Sequence, residues 1–506
     1  MEMTHLLTGL IICISCLTGY FFSWKYHVKQ NYKVALALLI LCGLILRFYS
    51  SCDFFIHSWD ERYHALVAKN LMGHMLVPTL YDNPVFPLEP VTWKTSHIWL
   101  HKQPLPLWTM ALSMMVFGVN EIAIRIPSIL FTSAGIGLTF YIARYLFNNR
   151  VAYIAAFFYS INGLIIEMTG GRVATDHIDV FFLFFVELAV FFTVVFIQRK
   201  KSIFNILTGI CIGAAILCKW LPAMIVLPVW LLLVADSRAF SKKKVLAQFA
   251  LVLIFTIIVF VPWQLYIHCY FPLEAKIASD FNMRHITEAL DGMDGPFYYF
   301  IDKMRINYGE LIYLPLGWFS WQLLKKRPLD LKRLSVFTWF LVPLIFFSIV
   351  KTKMQGYILF VSPALFIISA DFWVMLSGYC ANRRFKWFFN LVLIAMIALP
   401  VRYAIERTKM FAPRNRKPLW AKELKALNEK KIRNGVLVNY PRPVEAMFYT
   451  DLVVYETLPG RNAISDLISK GYTVIVNDNG LVPDDYYTIK GLNFRKFAPP
   501  EIGLEQ

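Results

Sequence analysis

A chain of 506 residues that is 58% hydrophobic and only 17% charged, with a mean hydropathy of +0.52, lies outside the range of water-soluble domains and reads as an integral membrane protein. Its formal charge of +18 does not point to a nucleic-acid partner, because Lys and Arg gather at the ends of apolar runs, where they set topology. The eight cysteines form no disulfide framework, since most fall within or beside apolar runs, where they pack as small core residues.

Runs long enough to span, roughly 17 to 25 residues or fewer where flanking Lys and Arg snorkel, fall at 4–22, 34–50, 122–146, 151–168, 178–197, 203–218, 221–235, 246–267, 311–324, 334–350, 357–377 and 387–404, twelve in all. The expected fold is mainly α, a polytopic helical bundle with a small C-terminal α/β domain. The first run lacks a preceding basic region, and Lys25, Lys29 and Lys33 follow it; it reads as a retained helix with its N-terminus outside rather than a signal peptide. With the loop holding Asp60 outside, the inside connections carry basic clusters such as Arg199-Lys200-Lys201, Lys242 to Lys244 and Lys325-Lys326-Arg327, opposed only by Asp236 and Asp330. One orientation therefore satisfies every turn of the chain. Whether Cys52 and Cys269, both near the outer face, pair in an oxidising compartment is left open.

The loop 51–107 is too long for a connector and marks a functional segment. It opens with Ser58-Trp59-Asp60-Glu61-Arg62-Tyr63. Adjacent carboxylates do not share a helix face, so one of Asp60 and Glu61 aims at a site while the other supports it. Ala65, Leu66, Ala68, Leu71 and Met72 form an apolar stripe, which predicts an amphipathic helix lying on the bilayer surface. Lys102 precedes a helix started by Pro104, and a lysine beside free helix N–H groups suits an anion; a snorkelling lysine is the plainer alternative.

Further along, Gly170-Gly171-Arg172 returns the chain to the outer face, and Asp176 either caps the next helix or builds the site. Lys219 stands alone between two apolar runs and is costly there unless paired. In the acidic outer loop 268–310, Arg284 either serves the site or pairs with Asp280 or Glu288 at helical spacing. Lys351 and Lys353, in the segment that leads to Tyr357, then place two cations on a face the topology rule leaves poor in them. Cations retained at one surface imply a negative ligand, and a phosphate at headgroup depth is the simplest. Beyond about residue 405 the hydropathy drops. Strands are expected near 435–439, 452–455 and 473–476, with helices near 443–449 and 463–469. This module carries no glycine-rich phosphate loop, no paired Cys/His spacing and no Ser/His/Asp order.

Taken in order, Asp60-Glu61-Arg62-Tyr63, Lys102-Gln103-Pro104-Leu105, Gly118-Val119-Asn120-Glu121 with Arg125 and Pro127, Arg172 to Asp176, Lys219 to Pro222, Gly295-Pro296-Phe297-Tyr298-Tyr299 and Lys353 to Tyr357 with Pro363 resemble the aminoarabinose transferase and protein O-mannosyltransferase relatives. These are membrane glycosyltransferases of the GT-C fold that use polyprenyl-phosphate sugars. The resemblance divides the chain into an added N-terminal helix and basic loop (1–33), a GT-C transmembrane domain (34–405) and a periplasmic α/β domain (406–506). It implies Asp60 and Glu61 as the catalytic carboxylates, with Lys102, Arg284, Lys353 and Tyr357 holding the donor phosphate. Arg62, Tyr63, Arg172, Asp176 and Lys219 support them. Gln103 stands where the family commonly has proline and His101 where it often has Glu, which leaves a divalent metal open; no other cofactor is implied.

The implied reaction is an inverting transfer from a polyprenyl-phosphate sugar to a lipid A, glycan or protein acceptor. Asp60 would act as base and the cations would meet it around the phosphate at the outer lip of the bundle. The expected location is the inner (plasma) membrane, multi-pass, in contact with membrane lipids and with the site facing the periplasm. A transporter or flippase of a lipid-linked anion is the alternative, although it would be expected to show internal repeats and midplane charges, which the sequence lacks.

Overall fold

The protein is described by a computed structural model covering residues 2–88, 93–174, 177–325, 328–380, 386–412 and 414–498. All twelve apolar runs fall on helices. Among the described residues eight helices are long and apolar enough to cross a membrane, nine if the pair Asn149–Ser160 and Gly163–Thr169, bent by 49°, is counted as one broken span. The expected runs 203–218, 221–235 and 311–324 fall on the shorter apolar helices Ile203–Lys219, Leu221–Ser237 and Tyr313–Lys325. The protein is a multi-pass membrane protein of mainly α architecture.

Two compact units are present. The first comprises Met1–Ser51, Lys102–Pro106 and Arg125–Pro413. Its helices pack closely where side chains are small: a Cβ at Gly209 would lie 2.4 Å from the Val252 carbonyl oxygen, so Ile203–Lys219 meets Lys242–Tyr270 backbone to backbone. The bend between Asn149–Ser160 and Gly163–Thr169 has a local cause, because Asn162 leaves helical geometry and its side chain accepts the Ile165 N–H, restarting the helix. The N-terminal helix Glu2–Val28 lies against Tyr32–Ser51, where a Cβ at Gly19 would come within 2.3 Å of Cys42 Sγ. Its other face exposes Leu6, Leu10, Leu17 and Phe21, a composition suited to lipid.

The second unit comprises Cys52–His101, Leu107–Ile124 and Arg414–Gln506. Its sheet has four parallel strands, β1 (Gly435–Val438), β2 (Val453–Val454), β3 (Thr473–Asn477) and β4 (Asn493–Arg495), in the order β2-β1-β3-β4. Val436 pairs with Val453 on one side and Val474 on the other, as expected for a buried apolar strand with helical crossovers. Three strands stand where the alternation placed them, whereas β4 was not expected, because Asn-Phe-Arg carries no strand pattern of its own and is held by pairing with β3.

The helix Asp60–Leu71 belongs to this second unit. The expectation that its apolar stripe rests on the bilayer is corrected: Ala65, Val67, Ala68 and Leu71 are each 0% exposed, and the helix packs against Pro443–Tyr449. Lys69 fixes that contact, its ammonium donating to the carbonyls of Met447 (2.9 Å), Phe448 (3.2 Å) and Thr450 (2.7 Å) at the negative end of the neighbouring helix.

Candidate functional site

In the second unit, the turn into Asp60–Leu71 separates the two carboxylates as adjacency requires. Glu61 is fully buried, and one of its oxygens accepts both the backbone N–H and the ring nitrogen of His57, each at 2.7 Å. Asp60 is half-buried at the first position of the helix, whose N-terminus has no side-chain cap. Glu61 therefore anchors the turn, and Asp60 is presented at a helix end where a negative group is favoured.

Arg62 and Tyr63 extend this structure inward. Arg62 donates to Glu445 at 3.1 Å, and although burial disfavours its charge, the Glu445 carboxylate and Tyr63 more than offset this and hold its pKa above the usual arginine value. Tyr63 is buried with its ring edge-on to Trp93 at 4.8 Å and parallel to Trp99 at 6.5 Å. Both residues hold the helix in place. His101 stacks on Trp93 at 4.9 Å. Among the described residues no three His, Cys, Asp or Glu side chains converge as metal ligands.

The first unit gathers residues from distant stretches. Lys219 pairs with the buried carboxylate of Asp179, and its ammonium lies 4.2 Å from the centre of the Tyr357 ring. Both Lys102 and Lys219 bear on His285: burial foremost, then the two lysines, hold its pKa below the ordinary histidine value, against the opposing influence of the Phe281 carbonyl and Asp291. Gln103 Oε1 accepts from Gln264 at 2.9 Å, tying the segment after Lys102 to the helix Lys242–Tyr270. Lys219 thus sits between the Asp179 carboxylate and the Tyr357 ring, and Lys102 and Lys219 both influence His285. Lysines so placed can hold an anion and keep their charge fixed as a reaction proceeds.

The other expected residues are placed differently. Lys353 is 4% exposed, and its ammonium donates to the carbonyls of Ser348 (2.8 Å), Val350 (2.6 Å) and, more distantly, Phe347 (3.4 Å). It caps the helix Leu331–Ile349, and burial, with Lys351 nearby, lowers its pKa. Arg284 is exposed and pairs with Glu288 one turn on, Nε to Oε2 at 2.9 Å, which is the helical pairing the sequence offered as its alternative. Arg172 donates to Ser50 Oγ at 3.1 Å and to the Arg407 carbonyl. Asp176 lies outside the described residues. Cys52 and Cys269 are not joined by a disulfide.

Three participants were not found from sequence. Asp179 stands in the first turn of His177–Arg199, close to where Asp176 drew attention. Arg407 donates to Glu167, Asn307 (2.9 Å) and Gln355 (3.1 Å), two residues before Tyr357. His57 lies between Asp53 and Glu61. Only Asp179 had a local signal, an acid at the start of an apolar helix.

Comparison with known proteins bears on the family and the fold. The sequence profile of the family described as dolichyl-phosphate-mannose-protein mannosyltransferase matches residues 101–266. An uncharacterized protein of Aquifex aeolicus is 27% identical over 382 residues, covering 73% of this chain and 70% of that protein. The undecaprenyl phosphate-alpha-4-amino-4-deoxy-L-arabinose arabinosyl transferase of Pectobacterium carotovorum is 26% identical over 365 residues, covering 68% of this chain and 60% of that protein. The chain thus spans about three fifths of the length of that transferase. Among solved structures, ArnT from Cupriavidus metallidurans in the apo state superposes with a TM-score of 0.61 at 15% identity, over 90% of this chain and 94% of that one. The archaeal oligosaccharyltransferase AglB from Archaeoglobus fulgidus superposes with a TM-score of 0.55 at 12% identity, over 84% of this chain and 65% of that one. The chain shares the fold of these two structures.

Proposed function

We propose that this protein is a membrane glycosyltransferase that moves a sugar from a polyprenyl-phosphate donor to an acceptor hydroxyl or phosphate on a lipid A, glycan or protein. The observation that carries the reading is Lys219 held between the buried Asp179 carboxylate and the Tyr357 ring, with Lys102 and Lys219 both near enough to His285 to influence its charge. The likeness to named transferases that use undecaprenyl phosphate supports the same donor class. Residues 34–405 carry the transfer, 1–33 add a helix, and 406–506 form the α/β domain. The site and that domain face the periplasm from the inner membrane, an orientation supported by the distribution of basic loops.

In this mechanism Asp60 removes the proton from the acceptor hydroxyl as its oxygen attacks the anomeric carbon. The bond from that carbon to the phosphate oxygen breaks, its electron pair stays with the phosphate, and polyprenyl phosphate leaves. A single displacement inverts the anomeric centre. The departing phosphate gains charge, so Lys102 and Lys219 stabilise the transition state more than the bound donor. Asp179 keeps Lys219 charged and oriented. Lys353 and Arg284 contribute to the pocket less directly, the first by ending its helix and the second from the exposed rim.

The test uses the protein in proteoliposomes with a labelled polyprenyl-phosphate sugar. Asp60→Asn inserts normally and loses transfer by at least about 100-fold, while wild-type turnover in that variant removes Asp60 as the base. A carrier would bind the donor without releasing labelled sugar.

A further inference from the structure

The first unit holds a cleft that the transfer does not use. The helix Lys386–Thr408 packs chiefly on Gly163–Thr169 and Ser362–Cys380, and Tyr313–Lys325 packs on Ser362–Cys380 as well. Between the two lies an open cleft of about 410 Å³, its mouth included. Pro315 lines one side, Ala395 and Leu399 the other, and Phe158, Phe366 and Ser369 the back. Gly309 closes one end with a positive φ of 93°, so near Lys386–Thr408 that a Cβ there would lie 3.0 Å from the Pro400 ring. The polar groups on the wall are mostly satisfied inside the protein. Asn162 Nδ2 donates to the Asn307 carbonyl at 2.8 Å, Asn162 Oδ1 accepts the Ile165 N–H at 3.0 Å, and the Tyr308 hydroxyl shares a hydrogen bond with Ser362 Oγ at 2.7 Å. What faces the cleft is therefore mainly hydrocarbon.

The setting of the cleft identifies its occupant. Pro315 and Phe366 stand within the first two turns of their helices, which puts the cleft at hydrocarbon depth just inside the helix ends. The neighbouring helix surfaces expose Leu314, Leu391 and Ile394, which meet lipid chains in a bilayer. Water gains no hydrogen bonds in an apolar cleft, and leaving it empty forfeits dispersion along every wall. The rim just beyond carries both signs of charge. Glu310 accepts the Tyr403 hydroxyl at 2.7 Å and lies 3.8 Å from Arg402 Nη1, Arg402 Nε is 2.8 Å from Glu406, and Arg305 Nε is 3.0 Å from Asp302. Exposed pairs of this kind are worth little by themselves and exchange readily with a headgroup. We propose that the cleft seats one acyl chain of a zwitterionic phospholipid, its phosphate beside Arg402 and its ammonium beside Glu310 and Glu406, and that this lipid steadies Lys386–Thr408. Arg407 near the end of that helix reaches Glu167, Asn307 and Gln355, so a steadier helix also holds their junction. The lipid is separate from the donor, whose phosphate is assigned to Lys102 and Lys219.

The experiment reconstitutes full-length protein with phosphatidylethanolamine that carries a diazirine in the middle of one acyl chain, and photolyses the proteoliposomes. Cross-links concentrate on the cleft residues of segments 309–315 and 395–400, and native mass spectrometry of the purified protein shows one retained phosphatidylethanolamine. Adding that lipid to delipidated protein raises the melting temperature by about 3 °C. Ala395→Phe and Ser369→Phe, which fill the cleft, lose both the concentrated cross-links and the melting gain, whereas Ile394→Phe, on the lipid-facing surface, keeps both. Wild-type cross-links spread evenly over Leu391, Ile394 and the cleft, with no retained lipid, overturn the proposal as ordinary boundary contact, and that result stands even if the filled variants fail to fold. Displacement of the probe by an equal concentration of polyprenyl phosphate overturns it by giving the cleft to the donor. Stronger labelling by a phosphatidylglycerol probe overturns the zwitterionic headgroup. None of these readouts requires sugar transfer, so their failure leaves the proposed reaction standing.

Discussion

Lys219 shows how a single charge in an apolar setting constrains its surroundings. An ammonium between two hydrophobic helices is costly unless paired, so the sequence alone called for a partner, and the structure supplies Asp179, 2% exposed, against a lysine side chain 19% exposed. Removing one member of such a pair leaves the other uncompensated, at a cost of roughly 3–5 kcal/mol, whereas replacing both by apolar residues costs much less. Asp179→Ala is therefore expected to melt well below wild type in detergent, and Asp179→Leu with Lys219→Met to recover most of the loss without recovering transfer. Equal melting of the single and double variants would deny the pair its structural role. Asp60 and Glu61 make a complementary case: their divergence follows from the helix period alone, but which of them is buried depends on His57.

Among the elements, the helix Leu331–Ile349 ends on a side chain. Its last carbonyls receive the Lys353 ammonium, a capping contact that explains why a lysine is kept on a face the topology rule leaves poor in basic residues. Lys353→Met is expected to lower stability by about 1–3 kcal/mol, read as the melting temperature, with only a small change in affinity for polyprenyl phosphate. Lys102→Ala should do the reverse, weakening binding with little change in melting; exchanged phenotypes would return Lys353 to direct phosphate contact. The helix Asp60–Leu71 is anchored in the same fashion, by Lys69 at the end of Pro443–Tyr449 and by Arg62 on the fully buried Glu445. Its amphipathic pattern was visible in the sequence, but a hydrophobic stripe does not reveal whether lipid or protein will cover it.

For the whole molecule, the proposed orientation rests on the charge of its loops. Cysteines placed at Lys201 and Asp294, both exposed, in a chain lacking Cys269 should be modified by a membrane-impermeant maleimide from opposite sides, Asp294→Cys in spheroplasts and Lys201→Cys only after the membrane is opened. Labelling of both from one side would invalidate the topology. The sequence by itself determined the twelve apolar helices, their charge asymmetry and most of the parallel sheet, because hydropathy and strand alternation are summed over neighbouring residues. Only the tertiary structure decided that Asp179 answers Lys219, that Lys353 closes a helix, that Arg407 reaches Glu167 and Gln355, and that Asp60–Leu71 is covered by protein. Those outcomes depend on hydrogen bonds and ion pairs between stretches up to hundreds of residues apart, where packing in three dimensions selects a partner that no local pattern encodes.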